Sequence, residues 1–243
     1  MFFTYLHKII SGIHAREWIS PAVCLFIIKM LIKENKLNSK FEFFIVPMAN
    51  PDGYEYSRTE DRMWRKNMRV NSNPICPGVD LNRNWDFKYG VGASNKECSE
   101  TYKGTSAFSE PETSALKNQM EKVSNMKMML SIHSFGQIML YPWGWTNKEA
   151  PDTKAMIKLA SRFTKAASTN EIKYTKANAA MGFYFASGAT DDWAKGVLNV
   201  KYSYTLELPN KSSFVIPAKN IKSISTKVNK GFKNMLKQLR KEK

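Results

Sequence analysis

His14 and Glu17 stand three residues apart in the stretch IISGIHAREW, residues 9–18, and the chain holds only two other histidines, His7 and His133. Zinc binds imidazole nitrogen and carboxylate oxygen, and a catalytic zinc site uses three protein ligands with a fourth position open to water. His14, Glu17 and a third donor from elsewhere could therefore hold one ion, and His133 is the candidate for that third place. Taken alone, His-x-x-Glu is a weak motif, and the plain alternative for His133 is a histidine satisfied inside a core. HExxH is absent, and Trp18 follows Glu17 where HxxEH requires histidine, so those two zinc-protease motifs are excluded.

The elements that must position these residues are legible from hydrophobic period. Ile9, Ile10 and Ile13, broken by Gly12, read as a buried strand ending in a turn that delivers His14 and Glu17 to one spot. His133 lies in MMLSIHSFG, another apolar run that breaks at Gly136. Ligands at two strand ends suit an α/β sheet, whose sites lie outside the carboxyl ends of its strands. Further strands are expected at residues 41–48 (FEFFIVPM), 128–133, 138–143 and 200–208. Helices are expected at 19–32, at 152–167 with Met156, Leu159, Ala160 and Phe163 on one face, and at the end of the chain through Ile221, Ile224, Val228, Phe232, Met235 and Leu239. Ser109 and Glu112, with Pro111 between them, read as a capping box opening a helix through Met120. Residues 50–53 (NPDG) read as a turn and 58–73 as a basic loop. Strands alternating with helices mean an α/β fold.

A chain of 243 residues at 43% hydrophobic can bury one core, so residues 1–243 are expected to form a single domain. The longest apolar stretch, 19–32, is interrupted by Ser20, Pro21 and Lys29 and is too short to span a bilayer. Residues 1–10 include His7 and Lys8 and no small-residue cleavage site, and are not read as a signal peptide. The net charge of +16 gathers on the last helix in Lys219, Lys222, Lys227, Lys230, Lys233, Lys237, Arg240, Lys241 and Lys243. A solvated basic face accounts for this, with a polyanion-binding site as the alternative; no base-stacking or recognition-helix pattern accompanies it, so no nucleic acid partner is expected. Asn210-Lys211-Ser212 is a glycosylation sequon. Three cysteines suggest one disulfide and one leftover thiol, with Cys24 inside an apolar helix.

Seven motifs, HAREW, NPDGY, RMWRK, VDLNRNWD, SIHS, YFASGATDDW and TLEL, occur in the order found in zinc carboxypeptidases of the pancreatic A/B type. From about Ile9 onward the chain strongly resembles that family. The resemblance implies a central twisted mixed β-sheet with helices on both faces, and His14, Glu17 and His133 as the ligands of one Zn2+. It implies Glu207 as the general base and Arg65 as the group that polarises the scissile carbonyl, with Arg62 a supporting charge. Asn82 and Arg83 would bind the substrate's terminal carboxylate, a planar bidentate donor suiting that task. Tyr184 would close over it, and Arg16 would contact substrate further from the cut. Phe135 stands where many members carry tyrosine.

Asp191 resembles the pocket residue of the B type, which releases lysine and arginine; the alternative is that Asp191 or Asp192 caps a helix beginning near Trp193. Ala189 and Thr190 depart from the small-residue pattern usual there. The resemblance also pairs Cys76 with Cys98, which argues for an oxidising compartment, and it implies a secreted, monomeric protein acting on peptide or protein C-termini. The first eight residues do not match. On that ground the family's first strands and its activation and targeting segments are expected to be lacking, strand 41–48 to be an exposed edge, and the chain to be aggregation-prone. A catalytically impaired relative is then the other reading.

Overall fold

The apolar run before His14 forms a strand, β1 (Tyr5–Ser11), in a computed structural model that describes residues 5–34, 40–210 and 212–242. There follow α1 (Ile19–Lys33), β2 (Phe41–Val46), α2 (Pro51–Thr59), a 3-10 turn (Leu81–Arg83), α3 (Pro111–Glu121), β3 (Met126–Ser134), β4 (Ile138–Tyr141) and α4 (Thr153–Ala167). The rest comprises β5 (Thr175–Asn178), α5 (Ala179–Gly182), α6 (Thr190–Gly196), β6 (Tyr202–Leu208) and α7 (Ile221–Leu239). Residues 1–4, Lys211 of the sequon and Lys243 of the basic run lie outside the described residues.

The strands join in the order β2-β1-β3-β6-β4-β5. β2, β1, β3 and β6 are parallel, whereas β4 runs antiparallel to β6 and parallel to β5, so the sheet is mixed, as expected. Strand period two decides what each face receives. In β6, Tyr202, Tyr204, Leu206 and Leu208 enter a core shared with α1, α4 and α7, which leaves Ser203, Thr205 and Glu207 on the other face. In β3, Met128, Leu130 and Ile132 enter that same core, and Ser131 and His133 fall on the second face with Met129. Leu81, Trp85, Leu116, Met120 and Trp193 cover the second face, completing helices on both sides.

The 3,4 spacing of α7 buries Ile224, Val228, Phe232, Met235 and Leu239 and leaves Lys222, Lys230 and Lys237 exposed. Gly12 adopts φ 67°, and a Cβ there would lie 2.9 Å from Met48 Sδ, so only glycine lets the turn after β1 close.

Three local expectations are corrected. Residues 50–53 open a helix: Asn50 Oδ1 accepts from Gly53 N at 3.0 Å with Pro51 in the first turn, and these residue types serve a helix start as well as a turn. Ser109 does not cap α3; Glu110 occupies the cap position without a side-chain bond to the helix, and the Ser109 hydroxyl donates to Glu110 Oε1 at 2.6 Å. α6 begins at Thr190 rather than near Trp193, after Ala189, so neither Asp191 nor Asp192 caps it. β5 was not foreseen, because TKAN is four residues without an apolar alternation.

His7 is wholly buried against the rings of Phe41 and Phe43, at centroid distances of 4.8 and 5.4 Å, and neither ring nitrogen has a partner among the described residues. Burial, with the nearby Lys127 charge, pushes its pKa down to about 3. An unfolded histidine titrates near pH ~6.5, so below that value the unfolded chain takes up a proton that the folded chain refuses. The stability present above pH ~6.5 is therefore lost as pH falls toward the folded pKa. His7→Leu removes this dependence. Urea unfolding of both proteins should show the variant's relative stability rising by about 2 kcal/mol between pH ~7 and pH ~5, and parallel pH profiles would refute the account.

Candidate active site

The turn after β1 delivers His14, and a short coil closed by Glu17 N→His14 O (3.3 Å) and Ser20 N→Glu17 O (2.9 Å) carries Glu17 into the start of α1. His133 arrives from the carboxyl end of β3. His14 Nδ1 lies 2.7 Å from Glu17 Oε1, His133 Nδ1 lies 3.1 Å from Glu17 Oε2, and the two Nδ1 atoms are 3.2 Å apart. One donor atom from each of the three buried residues falls within 4.8 Å of the others. The outward nitrogens are occupied: His14 Nε2 meets Asp80 Oδ1 at 3.1 Å and His133 Nε2 meets Ser131 Oγ at 2.8 Å. Imidazoles tied at one nitrogen with the other turned inward are what a zinc site requires, so this donor set fits the metal. Burial alone would raise the Glu17 pKa, but His14 and His133 hold it well below the usual carboxylate range.

Asp80 also receives Arg65, whose Nε and NH2 both reach Oδ2, at 3.0 and 2.9 Å. Against its burial, Arg65, His14 and Arg83 keep Asp80 ionised well below its ordinary pKa. Neither Asp80 nor Ser131 was singled out from the sequence. Ser131 was findable, lying two residues before His133 and so on the same face of the strand; Asp80 was hidden in VDLNRNWD behind Asn82 and Arg83.

Glu207 pairs in register with His133 across β3 and β6. Its Oε2 is buried with no hydrogen-bond partner among the described residues. Burial above all raises it, Glu17 and Asp191 add to this, His133 and Arg65 oppose, and the result is a pKa pushed up to about 7.

One cavity of about 300 Å3 joins the metal donors, Arg65 and Glu207 to the other residues singled out from the sequence, Arg16, Asn82, Arg83, Phe135, Tyr184 and Asp191. Arg83 NH1 donates to Asn82 O at 2.7 Å and NH2 to the Tyr184 hydroxyl at 3.2 Å, while the Tyr184 side chain stays half exposed. Thr190 turns from the cavity and donates twice to Asn82 Oδ1, through N (3.0 Å) and Oγ1 (3.1 Å), so its bulk does not narrow the pocket. Gly188, at φ 65°, lies so near Arg83 that a Cβ would sit 2.4 Å from the Arg83 carbonyl oxygen.

The two aspartates of α6 part company. Asp192 accepts from Gly144 N and Trp145 N, whereas Asp191 lines the cavity and makes no ion pair among the described residues. Burial raises both carboxyls, and Asp191 raises Asp192 further. Arg62 does not line the cavity; it donates to the carbonyls of Arg16 (2.9 Å) and Phe214 (3.3 Å) and lies over the Trp18 ring. Cys76 and Cys98 form the disulfide, and Cys24 is a buried free thiol.

Residues 7–230 match the Peptidase_M14 family, zinc carboxypeptidase. The chain is 40% identical over 232 residues to carboxypeptidase B of Helicoverpa zea, covering 88% of this chain and 54% of that protein. It is 37% identical to carboxypeptidase B of Astacus astacus, over 87% of this chain and 73% of the relative. Zinc carboxypeptidase A 1 of Anopheles gambiae matches at 39%, over 87% of this chain and 51% of that protein, so overall identity does not separate the A and B names. The chain thus spans about half the length of several curated relatives. The structure of bovine thrombin-activatable fibrinolysis inhibitor in complex with tick carboxypeptidase inhibitor is similar at TM-score 0.93 and 34% identity, over 98% of this chain and 83% of that one.

Asp80→Ala would leave the buried Arg65 guanidinium without its carboxylate. Loss of one partner of a buried ion pair costs about 3–5 kcal/mol, a large part of a typical folding stability. Urea unfolding should register that loss, and a change below about 1 kcal/mol would show that Arg65 finds another partner.

Proposed function

The chain belongs to the zinc carboxypeptidase family, and from that premise we propose that it hydrolyses the C-terminal peptide bond of peptides and proteins, releasing lysine and arginine in preference to apolar residues. The observation that carries this reading is one cavity that brings together His14, Glu17, His133, Arg65, Arg83, a Glu207 whose Oε2 has no hydrogen-bond partner among the described residues, and an Asp191 with no ion pair among them. One Zn2+ per chain would be held by His14, Glu17 and His133. Bound there, zinc lowers the pKa of water and polarises a carbonyl.

The protein's own groups do the rest. Glu207, with a pKa near neutrality, takes a proton from the attacking water and delivers it to the leaving amine. Arg65, held rigid by Asp80, faces the carbonyl oxygen as negative charge develops on it. Arg83 grips the terminal carboxylate with Asn82 beside it, and the half-exposed Tyr184, already bonded to Arg83, closes over it. Asp191 receives the cationic side chain; a buried carboxylate without a resident cation favours a ligand that brings one.

The disulfide supports secretion into an oxidising compartment. No helix among the described residues is long and apolar enough to cross a membrane. We take the described residues as one catalytic domain acting as a monomer.

Two measurements test this. Glu207→Gln should lower kcat by roughly 10²–10⁴-fold while metal analysis still finds zinc bound; full activity in that variant would sink the assignment of the base. In the parent, kcat/KM should favour a peptide ending in arginine over one ending in phenylalanine by about 10²-fold or more, and Asp191→Leu should reverse the order. A parent that prefers phenylalanine would remove the B-type specificity and leave the hydrolase reading standing.

A further inference from the structure

Asn210-Lys211-Ser212 is the chain's single Asn-x-Ser/Thr sequence, and its middle residue is not proline. Such a sequence is the acceptor for an asparagine-linked glycan in a protein that enters the secretory pathway. A second observation points to that route independently: Cys76 and Cys98 are joined in a disulfide, a bond that forms and persists in oxidising compartments. Asn210 lies in coil just beyond the end of β6 at Leu208 and is half-buried, and Ser212 is exposed.

The fold adds a third observation. Asn210 lines a groove of about 530 Å3 that lies between the loop after β6, the residues before β5 and the start of α7. Sites for small organic ligands run to about 300–1,000 Å3, so one sugar ring is within its capacity. The lining is mixed: Ile172, Ile216 and Pro217 offer apolar surface, while Glu171, Ser223 and Lys227 offer a carboxylate, a hydroxyl and an ammonium group. N-acetylglucosamine divides in the same way, with apolar C–H faces and an acetyl methyl set against a rim of hydroxyls and one amide. Among the described residues the groove shares no lining residue with the catalytic cavity.

We propose that Asn210 carries an N-linked glycan whose innermost N-acetylglucosamine lies in this groove. In the transfer, Asn210 Nδ2 gives up a proton and forms a bond to C1 of the first sugar. The bond from C1 to the pyrophosphate oxygen of a lipid-linked oligosaccharide breaks, and the lipid pyrophosphate leaves with that electron pair. The amide keeps its carbonyl and one N–H. This inference rests on the proposed secretion and not on the proposed hydrolysis.

Directed into the endoplasmic reticulum of a eukaryotic cell by a cleavable leader, the chain should run as a larger species that peptide-N-glycosidase F collapses, leaving aspartate at position 210. Asn210→Gln should abolish the shift, and so should Ser212→Ala, which keeps the asparagine. The sugar is attached before the chain folds, so the shift can be read on retained as well as secreted protein. In the folded protein the glycosidase must wait for the first sugar to leave the groove, and release should be about tenfold or more slower than from heat-unfolded chain. Ser223→Trp, which fills the groove from α7, should keep the glycan and bring the two rates within about twofold. An unshifted chain whose leader has been removed, a shift that survives either acceptor variant, or equal release from folded and unfolded parent would overturn the inference. Asn210 lies outside the catalytic cavity, so Asn210→Gln should leave kcat/KM on a peptide ending in arginine within about twofold. A glycosylated chain that cleaves nothing would overturn the proposed hydrolysis and not this site, whereas an active chain without the glycan would do the reverse.

Discussion

A single buried carboxylate, that of Asp80, orders three parts of the site at once. Oδ1 meets His14 Nε2 and also accepts from Asn82 N at 2.9 Å, while Oδ2 takes Arg65 twice. The first contact turns the inner nitrogen of His14 toward Glu17 and His133. The second caps the 3-10 turn that presents Asn82 and Arg83. The third stiffens the guanidinium that faces the cavity. Burying an ionised carboxylate is unfavourable unless its acceptor sites are filled by cations and donors, and here both oxygens are used. His14, Arg65 and the turn that carries Asn82 and Arg83 are thereby tied to one another.

The sheet supplies the second constraint. Residues 14, 133 and 207 are far apart in the chain, yet β1, β3 and β6 are adjacent and parallel, so their carboxyl ends open at one edge. Register then places His133 opposite Glu207, and the two-residue period puts Ser131 and Thr205 behind them on the same face. This is the arrangement in which an open α/β sheet binds ligands beyond its strand ends. Apolar residues at the alternate positions tie the same strands into the opposite core, so packing and chemistry occupy different faces of the same seven or nine residues.

Periodicity made most of this fold legible in the sequence: the strands around Ile9, Leu130 and Leu206 and the helices at Val23, Leu159 and Val228 all bury the residues their spacing selects. What it could not decide was local chemistry shared by two structures. Asn50-Pro51-Asp52-Gly53 has the residues of a turn and those of a helix start, and the choice fell to the Asn50 side chain, which bonds Gly53 N and also the carbonyls of Ile13 and Lys66. Glu110 displaced the expected Ser109 cap because its carboxylate is taken by Arg69 and Asn67, a contact across more than 40 positions that no local pattern carries. The site was legible where a residue type has few uses, as in three histidines, and obscure where partners are common types, as with Asp80, Ser131 and Thr190.

Three buried carboxylates, Glu17, Glu207 and Asp191, line the cavity and a fourth, Asp80, bonds its lining residues His14 and Arg65, and the four divide by whether a cation already faces them. Glu17 and Asp80 have His14, His133 and Arg65 as neighbours and are held in their charged form. Glu207 and Asp191 have no ion pair among the described residues, and burial raises both. A carboxylate with resident partners can fix geometry but has little freedom to exchange a proton or accept a new cation. One without them is poised for either, and environments that push paired carboxylates apart are how one site assigns different tasks to the same functional group. Glu207 lies opposite His133, where the proposed reaction moves a proton, and Asp191 lines the same cavity, where the proposed reading has it meet a cationic side chain. The division follows from which carboxylates the fold supplies with a cation and which it buries without one among the described residues.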